Sequence, residues 1–96
     1  MIQVSLLVTS CDTNAQGDVV RNAILDGLSR SDHVTLDFHG VANVTSSFVN
    51  SALLELSNSF DLSTIKTKVQ IKRVNRQVGT MIRDRFASEQ RLQRII

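Results

Sequence analysis

The 96-residue chain has no proline, tryptophan or tyrosine, and it holds one cysteine, four phenylalanines and four scattered glycines. Without proline and with so little glycine there is no collagen-like repeat, stiff linker or low-complexity segment. Gly17, Gly27, Gly40 and Gly79 stand too far apart for a phosphate-cradling loop. A lone Cys11 cannot close an internal disulfide or a multi-cysteine zinc site, which fits a reducing compartment. It reads as a small apolar residue at a strand end. Long apolar runs are also missing. Ile2 to Val8 is too short to span a bilayer and lacks the basic flank and small-residue site of a secretory leader, so a cytoplasmic chain with no membrane segment is expected.

What is present describes one globular unit over 1–96, 42% hydrophobic and 21% charged. The net charge of +2 hides an asymmetry. Residues 1–65 set Arg21 and Arg30 against seven acidic residues, a net −5, whereas residues 66–96 set nine Lys and Arg against Asp84 and Glu89, a net +7. Such a split suits an acidic partner, a nucleic acid or subunits packed head to tail.

Periodicity supplies the elements. Ile2 to Thr9 carries Ile2, Val4, Leu6 and Val8 at period two, a first strand. Turn and cap residues from Asp12 to Asn14 lead into a helix marked by Val19, Ala23, Ile24 and Leu28. His33 to His39 alternates Val34, Leu36 and Phe38 with Thr35, Asp37 and His39, a second strand. Thr45, Ser46 and Ser47 offer cap hydroxyls to a helix whose Phe48, Val49, Ala52, Leu53 and Leu56 share one arc. A third strand runs from Lys68 to Val74, and from Asn75 a helix turns Val78, Met81, Ile82 and Phe86 inward. The order βαβαβα implies a mainly parallel α/β sheet. Because the second and third strands alternate instead of running apolar on both faces, the helices are expected on one face only.

The segment LDFHGVANVTSSFVNSALLEL resembles the signature of STAS domains, the fold of bacterial anti-anti-sigma factors. It is closer still to STAS-like domains of unknown function. The likeness extends over about Val20 to Val78 and centres on Leu36, Asp37, Phe38, Gly40, Val41, Ser46, Ser47 and Phe48. It implies a STAS-like fold in a bacterial or phage-like setting, and a partner of the histidine-kinase-like ATPase or anti-sigma type. In those factors the second Ser of a DSSG motif accepts phosphate from an anti-sigma kinase, which transfers here to Ser47, with Ser46 beside it. Thr45 stands where that motif has Asp, and Phe48 where it has Gly.

The hydroxyls also have a physical reading. In the first turn of a helix they adjoin unpaired N–H groups and the positive end of the dipole, where a phosphate is tolerated and alters surface charge more than folding. Stepping 100° per residue sets Ser47, Asn50, Ser51, Leu54 and Asn58 opposite the core arc. With Thr45 these form the expected partner surface. Leu54 is its apolar anchor, and Leu54→Asp is expected to leave folding intact.

An enzyme is not expected, since no nucleophile stands beside a recognisable base and no paired carboxylates mark a cleft. His33, Asp37 and His39 share one strand face but are too few to close a metal site, and no cofactor is implied. The alternative function is nucleic-acid binding by the basic third, through Lys66, Lys68, Lys72, Arg73, Arg76 and Arg83, with Arg91 and Arg94 extending the helical stripe. The chain lacks the interleaved aromatics that stack bases. Finally, a straight last helix places Arg85 and Glu89 inside its apolar arc. Either they pair at i, i+4, or the helix breaks near Ala87 and Ser88 caps a separate tail, 86–96. In that tail Leu92, Ile95 and Ile96 seek cover from the chain's own sheet or from a second subunit, and a homodimer or larger assembly is expected.

Overall fold

A computed structural model describes the backbone of residues 1–95 and the side chains of residues 1–89. The elements run β1 (Ile2–Gln3), α1 (Val4–Leu7), α2 (Asn14–Arg30), β2 (Val34–Asp37), α3 (Ser46–Ala52), a 3-10 turn (Leu54–Asn58), α4 (Leu62–Lys68), β3 (Val69–Lys72) and α5 (Arg76–Ile95). The strands form one parallel sheet in the order β1-β2-β3, with Ile2 opposite Leu36 and Leu36 opposite Ile71. Residues in register share a face of a parallel sheet. Val34, Leu36, Val69, Ile71 and Ile2 therefore make one apolar face, while Gln3, Thr35, Asp37, Gln70 and Lys72 make the other. Sequential order with right-handed crossovers carries both connections over the same side. On that side α3 packs against both α2 and α5, so the expected one-sided α/β arrangement is what the chain forms.

Below the helices lie Val4, Val20, Ile24, Leu36, Phe38, Phe48, Val49, Leu53, Leu56, Ile65 and Val78, all at 2% exposure or less. Removing a side chain of this size from water contributes about 1.5–3 kcal/mol. The α2–α3 contact is very close. A Cβ on Gly17 would stand 2.5 Å from Ser51 Cβ and 2.8 Å from the Phe48 carbonyl.

Three expectations are corrected. The first strand, read as Ile2 to Thr9, stops at Gln3 because its partner stops. β2 ends at Asp37, and the next N–H, that of Phe38, goes to Lys72 O on β3 at 3.0 Å. With no ladder to join, the chain closes a helical turn, Val8 N–H to Val4 O at 3.2 Å, which leaves Leu6 exposed at 77%. Cys11 is buried, but in the loop between α1 and α2 and not at a strand end. The last helix does not break at Ala87: α5 is continuous, and Arg85 donates from Nε to Asn50 Oδ1 on α3 at 2.8 Å instead of turning to Glu89. The apolar tail positions Leu92, Ile95 and Ile96, with Arg91 and Arg94, fall outside the described side chains.

Helix α4 had no counterpart in the periodicity reading. Its signal was local: Asp61 caps it by accepting the Thr64 N–H at 2.8 Å, and Leu62 and Ile65 at spacing i, i+3 are buried. Among the described residues no helix is long and apolar enough to cross a membrane.

Candidate functional site

Parallel α/β sheets present their ligand-facing loops at the C-terminal ends of the strands. Here that rim is residues 38–45, between β2 and α3, and each neighbouring element grips it. Gly40 turns the chain with φ +81°, a region that L side chains rarely adopt. Asn75 Nδ2 donates to Ala42 O at 2.8 Å while its Oδ1 caps Val78 N–H at 2.9 Å. Gln77 brackets Val44, accepting its N–H at 2.9 Å and donating to its carbonyl at 3.1 Å. From the other side Thr45 N–H donates to Cys11 O at 3.1 Å, and the Thr45 hydroxyl donates to Asp12 O at 2.9 Å. The same Thr45 oxygen accepts Phe48 N–H at 3.2 Å and so caps α3.

The N-terminus of α2 stands against this rim through its own cap. Thr13 and Gln16 form a reciprocal capping box, and the Gln16 side chain also accepts the Asp12 N–H at 2.9 Å. Cys11 is enclosed beneath. Burial first, then the neighbouring Asp12 carboxylate, push its thiol up to about 11, so it stays protonated at neutral pH.

Under the rim lies Asp37, 1% exposed. Arg73 holds it with two hydrogen bonds, Nε to Oδ1 at 3.1 Å and a second, shorter one to Oδ2, and His39 N–H donates to Oδ1 at 2.9 Å. The Arg73 guanidinium keeps the Asp37 carboxyl below its ordinary range against the opposing pull of burial, and Arg73 is raised in turn. Arg73 reaches this position with φ +55°, an uncommon conformation for a residue with a Cβ. The ion pair thus ends β3, braces β2 and anchors the start of the rim. Asp37 is fully engaged in structure and is not a free base.

Ser46 and Ser47 are exposed in the first turn of α3, because the capping role falls to Thr45. The rest of the expected partner surface is redistributed. Asn58 is exposed, and Thr45 and Asn50 are half-buried and hydrogen-bonded. Ser51 and Leu54 are buried, at 4% and 6%, which overturns their placement on an outer face. The 100° step fails because α3 ends at Ala52 and the chain tightens into the 3-10 turn at Leu54. Lying between α2 and α5, α3 is also covered beyond its first turn, with Phe48, Val49, Ser51 and Ala52 buried. Ser51 instead joins a network in which its hydroxyl donates to Asp18 Oδ1 at 2.8 Å and Arg21 bonds to Ser51 O and Glu55. The Ser51 hydroxyl holds the Asp18 carboxyl below its ordinary value. The motif residues Phe38 and Phe48 are core, while Val41 is half-buried against it.

The basic residues read as a nucleic-acid stripe are not brought onto one face. Lys66 and Arg83 line the same hollow beside β3. Lys68 donates to Asp32 O at 3.2 Å, with its Nζ 5.9 Å from the centre of the Phe60 ring. Lys72 points from the opposite sheet face, in the row of Asp37; Arg73 is committed to that carboxylate, and Arg76 is exposed at the start of α5. Among the described residues no group of three or more His, Cys, Asp or Glu side chains is placed to hold a metal ion.

No curated protein and no solved structure matches this chain. A family model does match, over residues 16–78, from the first turn of α2 through the rim and α3 to the start of α5. β2, β3, α3, α4 and the 38–45 rim fall inside that match, and the chain belongs to the family described as STAS-like domain of unknown function (DUF4325).

Proposed function

We propose that this STAS-like domain is a non-catalytic protein-interaction module, a regulatory switch that offers the 38–45 rim and the first turn of α3 to a protein partner. The observation that carries the reading is the exposure of Ser46 and Ser47 on a rim clamped by Asn75, Gln77 and Thr45. A rim held from both sides is preorganised for docking, and little conformational freedom is lost when a partner binds. A phosphate on Ser47 adds about −1.5 to −2 charges there at neutral pH, enough to change partner choice without unfolding α3. By the family resemblance, the partner is a histidine-kinase-like ATPase or a protein of the anti-sigma type.

The test is incubation of the chain with such an ATPase and ATP, followed by mass mapping and by affinity measurement before and after modification. One phosphate on Ser47 or Ser46 with altered affinity is the expected result, and Ser47→Ala with Ser46→Ala should abolish it. Absence of both phosphate uptake and complex formation would remove this reading.

A further inference from the structure

Among the described residues β3 is an edge strand whose outer flank carries no further strand. Lys72 O accepts from Phe38 on β2, so the alternation of a strand turns Ile71 N–H and C=O outward, together with the Val69 carbonyl. The Val69 N–H is already spent on Ile65 O, at the end of α4. Helix α5 packs on α3 and stands off from β3, leaving an apolar hollow of about 770 Å³ along the edge. Ile65, Val69, Ile71, Val74, Ile82 and Phe86 line it, and Val74 is 38% exposed. Among the described residues the charged side chains on its wall are Lys66 and Arg83, and none of the lining residues is a carboxylate. Lys66 Nζ lies 5.9 Å from the centre of the Phe86 ring.

We propose that this edge is a peptide-docking site, distinct from the rim, which takes an extended segment of a partner protein as a fourth strand. The segment alternates apolar and acidic residues. Its backbone completes the outward groups of Ile71, its apolar side chains enter the hollow, and its carboxylates meet Lys66 and Arg83. Charge argues against a second copy of this chain. A two-fold pairing of β3 with β3 brings Lys66, Lys68, Lys72 and Arg83 of both copies together, and the opposite edge, β1, offers only two residues.

The probe is a fluorescein-labelled heptapeptide alternating Ile or Val with Glu, set against the same peptide carrying Lys for Glu. The acidic peptide should bind saturably, shift the amide resonances of Val69 to Val74 and Ile82, and protect the Ile71 amide from exchange. The Lys peptide should not bind. The double substitution Lys66→Glu and Arg83→Glu, at exposed positions and with folding checked by circular dichroism, should weaken the acidic peptide about tenfold or more. Failure of the acidic peptide to bind, equal binding of both peptides, shifts confined to the rim, or an Ile71 amide left unprotected would each overturn the proposal. So would a solution dimer that buries β3.

Discussion

The two flanks of α3 are built differently. Toward α2 the packing is so close that a glycine is required: Gly17 lies under Ser51, and Asp18, Arg21, Ser51 and Glu55 seal the seam with hydrogen bonds. On the other flank α5 packs on α3 but stands off from β3, a hollow remains, and among the described residues a Cβ on Gly79 would meet Val74 Cγ2 at 3.5 Å, an ordinary contact. The negative part of the chain thus supplies the tight seam and the positive part the open edge. Close packing holds the core and the rim in one geometry, and incomplete packing is what leaves surface for recognition.

Substitutions can break this contrast, beginning with the largest effect. Leu54→Asp should cost about 3–5 kcal/mol or more, since it places a charge among buried apolar groups and leaves a void. Chemical denaturation read by circular dichroism checks this, and a variant as stable as the parent would contradict the burial of Leu54. Gly17→Ala should follow at about 1–3 kcal/mol, because the backbone of α3 has to move away from the new methyl group. No loss of denaturation midpoint would mean that the seam is looser than the 2.5 Å approach implies.

Acid should then separate the Asp37–Arg73 brace from the remainder. The folded Asp37 carboxyl titrates below its unfolded value of about 3.9, so its contribution is complete above that pH and is lost as the pH falls through the lower, folded value. Asp18 and Asp61 are lowered in the same sense and add to the acid limb. Asp37→Asn should lower stability at pH 7 and flatten that limb between pH 5 and 2, as followed by midpoints across pH. Parallel curves for the two proteins would assign the acid limb to other groups. The smallest effect, and one of opposite sign, is Gly79→Ala. It lies in a helix with room for a methyl group and should raise stability by about 0.5–1 kcal/mol. The two glycine substitutions on one scaffold, read as a pair of melting temperatures, sharpen the difference between seam and edge.

Much of the fold and part of the site were legible because their signals are local. The alternation of Val34, Leu36 and Phe38 located β2, the arc of Phe48, Val49, Ala52, Leu53 and Leu56 was the buried one, and the hydroxyl run marked the start of α3. Caps and periodicity act within one turn or one strand and are read without neighbours. The length of β1 was not legible in this way. Ile2 to Thr9 has strand chemistry throughout, yet a parallel strand exists only as far as its partner does, and β2 ends at Asp37. The outer face of α3 was misread for a related reason, since α2 and α5 flank the helix and cover it beyond its exposed first turn, and Leu54 belongs to a different turn geometry.

The amino-acid sequence by itself determined the order of strands and main helices, the one-sided sheet and a hydroxyl cap within Thr45 to Ser47, because propensity, capping and apolar period act over a few residues. Only the tertiary structure decided that Arg73 braces Asp37 from 36 residues away, that Asn75 and Gln77 clamp the rim, that Ser51 and Leu54 are interior and that β3 keeps an open, basic edge. Those outcomes depend on which distant elements meet and how closely they pack, and no local pattern encodes that distance.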